Sequence, residues 1–138
     1  MCIVKTLVSI AFLASLPVSA FAWDHELERG VDLYQAGDAD VGVSLVCDPN
    51  SVYGTSVSAV MIALDTDSDI SAVATFRFPD LITIDAPMAH GRISKADNQD
   101  GIWEPLVAGL RAHSAVEISL NGETRTVALG DPLPFTCL

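Results

Sequence analysis

The sequence predicts an all-β or β-rich fold, a single sandwich or flattened barrel of about seven strands with one packed helix, and three observations carry that expectation. Val41, Val43, Leu45 and Cys47 alternate with Gly42, Ser44 and Val46, the period of two that puts one set of side chains on each face of a strand. Asn121-Gly122, a pair suited to a tight turn with two positive φ angles, separates two further runs of β-branched and polar residues. Trp103, Leu106, Val107 and Leu110 recur at i, i+3, i+4 and i+7, which is helical spacing.

Residues 1–22 read as a secretory leader: Lys5 supplies the early charge, an apolar run follows, and Ala20-Phe21-Ala22 places small residues where a signal peptidase cuts. The run is shorter than the roughly 20 residues that cross a bilayer and is followed at once by Trp23-Asp24-His25-Glu26, so no stable membrane insertion is expected after cleavage. Residues 23–138 are then one β-rich domain, periplasmic or secreted. Cys2 leaves with the leader, and so does Lys5, one of seven Lys and Arg. Six basic residues then face eighteen acidic ones, a charge near −12. Such a surface repels phosphate backbones and excludes nucleic acid as a partner.

Along the mature chain, residues 31–34 form a short extended piece, and residues 36–40 turn it back on the strand of residues 41–47. Asp48-Pro49-Asn50 ends that strand. Residues 55–64 become continuously apolar, as expected of a central strand covered on both faces. After a polar turn at residues 65–69, Ala72, Ala74, Phe76 and Phe78 share one face of a strand closed by Pro79. Residues 81–86 and 92–96 look like two arms around residues 87–91. The helix follows Asp97-Asn98-Gln99-Asp100, rich in capping residues, with Pro105 in its first turn. In the last hairpin Val116 is expected opposite Val127, and Ile118 opposite Arg125. The inward positions are Val43, Leu45, Phe76, Phe78, Leu106, Leu110, Val116, Ile118 and Val127.

Cys47 and Cys137 are the two cysteines of the exported chain and are expected to form one disulfide. Cleavage after Ala22 would start the protein Trp23-Asp24-His25, whose amine, two amide nitrogens and imidazole can wrap a square-planar copper(II) ion; cleavage after Ala20 would destroy that arrangement. Asp65, Asp67 and Asp69 imitate the first ligand positions of a calcium loop. That loop fails further on, at Ile70 where glycine is required and at Phe76 where a bidentate glutamate belongs, so a solvated acidic turn is the simpler reading. His90 and His113 lie in no metal-ligand spacing and read as surface or capping histidines. No nucleophile elbow, phosphate-cradling loop or zinc-type cysteine pair is present, and no catalytic residue is assigned.

An early strand ending in Cys47, the helix opening Trp103-Glu104-Pro105-Leu106 with Leu110, a following hairpin and the terminal Cys137 resemble small periplasmic β-domain proteins, namely the invasion-associated locus B proteins and small accessory proteins of type VI secretion. The resemblance implies a compact, non-enzymatic envelope protein, and it rests on structural residues, so no functional residue carries over. The expected function is an exported, non-catalytic binding or accessory module acting on an envelope protein partner through its surface, with no cofactor unless copper. The alternatives are a small periplasmic hydrolase-like enzyme and an N-terminal copper-binding protein. A concave pocket holding His90 or His113 beside a carboxylate would favour the enzyme, whereas an exposed apolar strip or unpaired sheet edge would favour the binding module.

Overall fold

Antiparallel pairing of alternating strands builds the fold. In the computed structural model, which describes residues 23–130, the order is β1 (Asp24–Glu28), β2 (Val31–Gly37), β3 (Val41–Cys47), β4 (Ala59–Leu64), β5 (Ala72–Arg77), β6 (Thr83–Met88), β7 (Arg92–Ser94), α1 (Trp103–Ala112), β8 (Ala115–Leu120) and β9 (Glu123–Ala128). A five-stranded sheet, β1-β2-β3-β4-β7, faces a four-stranded sheet, β6-β5-β8-β9. The expected sandwich is therefore present. Among the described residues it has nine strands rather than about seven, and the two sheets do not close into a barrel.

β3 shows why the sheets stack. Val41, Val43, Leu45 and Cys47 are buried while Gly42, Ser44 and Val46 are only partly covered, so its apolar face meets the second sheet and its small-residue face looks outward. Phe76 and Phe78 from β5 and its end, with Val116, Ile118 and Val127 from the last hairpin, supply the opposing half of the core. Every inward position expected from sequence is buried. The β8–β9 register matches as well, with Val116 opposite Val127 and Ile118 opposite Arg125, and Asn121 and Gly122 carry the positive φ angles of the turn.

Several expectations shift. β2 runs on to Gly37, because Asp38 makes the turn itself: its carboxylate accepts the backbone N–H groups of Asp40 and Val41, so the chain reverses over 38–40 rather than 36–40. β4 starts at Ala59 instead of residue 55, since residues 51–58 are committed to Asp48 (below), and only its Ala59, Val60 and Ile62 are buried; Met61, Ala63 and Leu64 are partly open, so the strand is central but not covered on both faces. The two arms are shifted, β6 running over 83–88 rather than 81–86 and β7 over 92–94 rather than 92–96, so the turn between them is tighter than residues 87–91, with Ala89 and Arg92 exchanging backbone hydrogen bonds of 2.9 and 3.0 Å. They then separate, β6 pairing with β5 in one sheet and β7 with β4 in the other. That turn is where the chain changes sheet.

α1 links β7 of one sheet to β8 of the other and buries Trp103, Leu106, Val107 and Leu110 in the shared core. The polar residues before it cap it less directly than expected: Ile102 is the N-cap residue and makes no side-chain cap bond, while the carbonyl of the buried Asn98 accepts from Trp103 N at 2.9 Å. At the other end His113 is the C-cap, its ring stacked on Phe78 with centroids 5.2 Å apart and its Nε2 3.3 Å from the Asp80 carboxylate.

Candidate functional site

The outward face of the five-stranded sheet carries a concavity of about 560 Å³. Register explains its make-up. Asp24 pairs with Gln35, Gln35 with Ser44, Ser44 with Met61, and Met61 with Arg92, so one residue from each of five strands stands in a single row across the sheet. The adjacent row is Gly37, Gly42 and Ala63, whose minimal side chains leave the floor low. Beyond Gly42 the space is open: a Cβ built there would find only the Ala63 methyl, 4.0 Å away. The far wall is the sheet-crossing turn, His90 and Gly91, together with Ser68.

Charge is divided across this groove. Asp24 lies at the β1 end and Arg92 at the β7 end, and among the described residues neither takes part in an ion pair. The Arg92 guanidinium is instead steadied by neutral acceptors, the Val57 carbonyl at 3.1 Å and the Met61 sulfur at 3.5 Å. Those contacts orient the fork without neutralising it. In a chain with eighteen acidic residues, an arginine without a carboxylate partner is available to an outside anion.

The turn that forms the far wall is tightly determined. His90 has φ of 50° and Gly91 of 76°, and a side chain on Gly91 would run into the Ser68 carbonyl. The His90 backbone N–H donates to Ser71 Oγ at 3.0 Å, the Gly91 N–H donates to the Ile70 carbonyl at 2.8 Å, and His90 Nδ1 lies 2.8 Å from Asp69 Oδ1. The ring and its carboxylate are 82% and 77% exposed, so water competes for the pair.

The remaining sequence candidates fall elsewhere. Asp65, Asp67 and Asp69 do not converge: Asp65 pairs with Arg125 at 3.4 Å, Asp67 accepts the N–H of Asp69, and Asp69 turns to His90. No cluster of three or more His, Cys, Asp or Glu side chains suited to a metal occurs among the described residues. Trp23 is buried in the core, and Asp24 and His25 are paired in β1 with Gln35 and Tyr34. The His25 ring stacks on Tyr34 at 4.5 Å, and its Nε2 is 2.8 Å from Asp32. Burial, and secondarily the Asp32 charge, hold the Tyr34 phenol above its ordinary pKa. Cys47 is buried at the end of β3, and Cys137 lies outside the described residues, as do residues 1–22.

Sequence reasoning missed two features. β1, the edge strand whose Asp24 enters the groove, has every residue exposed and reads locally as a solvated end. Asp48 looked like part of a turn, yet it is 1% exposed and anchors the 48–58 loop, its two carboxylate oxygens accepting from Val52 N at 2.9 Å and Val57 N at 3.1 Å. The available signal was an acid directly after a buried strand and before a long stretch of Ser, Gly and Thr that needs N–H acceptors. No family model, curated protein or solved structure matches this chain.

Proposed function

We propose that this is an exported, non-catalytic envelope module that binds a partner in the groove on the outer face of its five-stranded sheet. The observation that carries the reading is Arg92, with no carboxylate partner among the described residues, at one end of a pocket whose floor is Gly42 and Ala63 and whose other end is Asp24. A row of side chains drawn from five strands of a packed sheet is preorganised, so binding there orders little that is not already ordered. The leader-like residues 1–22 and the resemblance to the invasion-associated locus B and type VI accessory proteins support export and an envelope partner. A photo-crosslinking residue at Ser44, in intact cells, should trap a discrete species that Gly42→Leu removes, whereas the same group at Val73 on the other sheet should not. Equal trapping from both faces would sink the proposal.

One observation favours a second reading. His90, whose Nδ1 lies 2.8 Å from Asp69 Oδ1, lines the wall of the pocket, as the base of a hydrolase-like site would. Among the described residues no hydroxyl is hydrogen-bonded to the His90 ring, and the pair is largely solvated, which leaves a nucleophile unassigned. Turnover of an ester or peptide substrate that His90→Ala abolishes would establish this reading in place of binding alone.

A further inference from the structure

Two opposite charges, each without an ion-pair partner among the described residues, stand at the two ends of one groove, and their spacing limits what can satisfy both. From β1 to β7 the row crosses four inter-strand steps, which at roughly 4.8 Å each is about 19 Å. An extended peptide advances about 3.3 Å per residue, so about six residues cover that span. Between the ends the row presents Gln35, Ser44 and Met61, of which the first two can both donate and accept, and among the described residues no Phe, Tyr or Trp lines the groove as a platform for a sugar. The guanidinium is the side chain best matched to a carboxylate, which it can hold through two parallel N–H···O bonds. Asp24, exposed and with no hydrogen bond to its carboxylate among the described residues, suits an ammonium group.

Resting on the groove reading above, we propose that the ligand is a short peptide of about six residues with both ends free, its terminal carboxylate on Arg92 and its amino group at Asp24, lying across the strands over Gly42 and Ala63. Selectivity then comes from the two charged ends, while between them only Gln35, Ser44 and Met61 rise beside the low floor of Gly42 and Ala63, which leaves the middle of the peptide more tolerant of sequence.

The test uses randomised hexapeptides in four forms: both ends free, N-acetylated, C-amidated and doubly blocked. Each form is equilibrated at low salt with the mature protein and the bound fraction read by mass spectrometry. Free-ended peptides should be retained about tenfold or more above either singly blocked form. Arg92→Gln should erase the preference for a free carboxylate alone, and Asp24→Asn the preference for a free amine alone. Gly42→Leu, whose φ is unstrained and whose side chain enters open space, should remove retention while leaving the circular dichroism spectrum intact. Equal retention of all four forms, still lost in Gly42→Leu, would overturn the end-reading inference and leave the groove as a binding site. No retention of any form, or retention indifferent to Gly42→Leu, would overturn both.

Discussion

At the scale of single residues, the buried polar groups matter most. Asp48 meets the backbone N–H groups of Val52 and Val57 with one carboxylate oxygen each, its own N–H donates to Ser58 Oγ at 2.8 Å, and its carbonyl accepts from Ser56 Oγ at 3.1 Å. Asp48→Ala strands two donors in a closed loop and should cost about 3 kcal/mol, read as a lowered urea midpoint. Asp48→Asn, which keeps one acceptor oxygen, should cost less. Tyr34 gives a pH prediction. Its phenol is held above 10 in the folded chain by burial and then by Asp32, so below pH 10 both folded and unfolded states are protonated and this shift changes nothing. From pH 10 upward the unfolded chain loses its proton first, and folding stability falls until the folded phenol also ionises. Tyr34→Phe should therefore lose less stability than wild type between pH 9 and pH 11, and an identical slope for the two proteins would refute the effect.

Among the elements, α1 carries a glycine that its helical surroundings do not explain. Gly109 lies in the last half of the helix, where alanine would raise helix propensity by about 1 kcal/mol. Yet a Cβ there would come within 2.4 Å of two Phe78 ring atoms. Phe78 is 2% exposed and stacked on His113, so the ring can yield only by giving up that packing, and overpacking of this kind costs about 1–3 kcal/mol. Gly109→Ala should accordingly destabilise, by calorimetry, and most of the loss should disappear in a Phe78→Leu background. β1 bears on the copper expectation. In an extended strand successive amide N–H groups point to opposite sides, whereas a square-planar chelate needs the nitrogens of Trp23, Asp24 and His25 in one plane. We therefore propose that a chain beginning at Trp23 binds copper(II) only by releasing β1 from β2. A visible copper band lost in His25→Ala should develop together with a change in tryptophan fluorescence as Trp23 leaves the core; a band with unchanged fluorescence would reject the coupling.

For the whole molecule, the architecture depends on how two sheets are joined. The chain enters the five-stranded sheet with β1 to β4, crosses to β5 and β6, returns through the His90–Gly91 turn to β7, and crosses again through α1 to β8 and β9. Each crossing ties the sheets covalently as well as by packing. A disulfide between Cys47 and Cys137 is proposed as a further tie from β3 to the chain end. It would close a loop of about 91 residues and stabilise the fold by about 4 kcal/mol in the chain-entropy account. Peptide mapping without reduction should recover the two cysteine peptides joined, and both thiols found alkylated without reductant would dispose of the bond.

Local pattern was enough to place most strands of this protein, the helix, the last hairpin with its register, and all nine inward positions named from sequence. Those features depend on periods of 2 and 3.6 and on the backbone preferences of Asn-Gly, which act within a few residues. Even the outward orientation of Gly42 and Ser44 was legible in the alternation of residues 41–47. The candidate site was not legible, because Asp24, Gln35, Ser44, Met61 and Arg92 are neighbours only through strand pairing. Nor could sequence assign β6 and β7 to opposite sheets: an Ala-His-Gly-Arg turn looks the same whether its arms stay paired or diverge. That choice was made by the core: β6 sets Ile84 opposite Phe76 within a local hairpin, whereas β7 delivers Ile93 beside Val60, a pairing across 33 residues, from 60 to 93, that no local pattern registers.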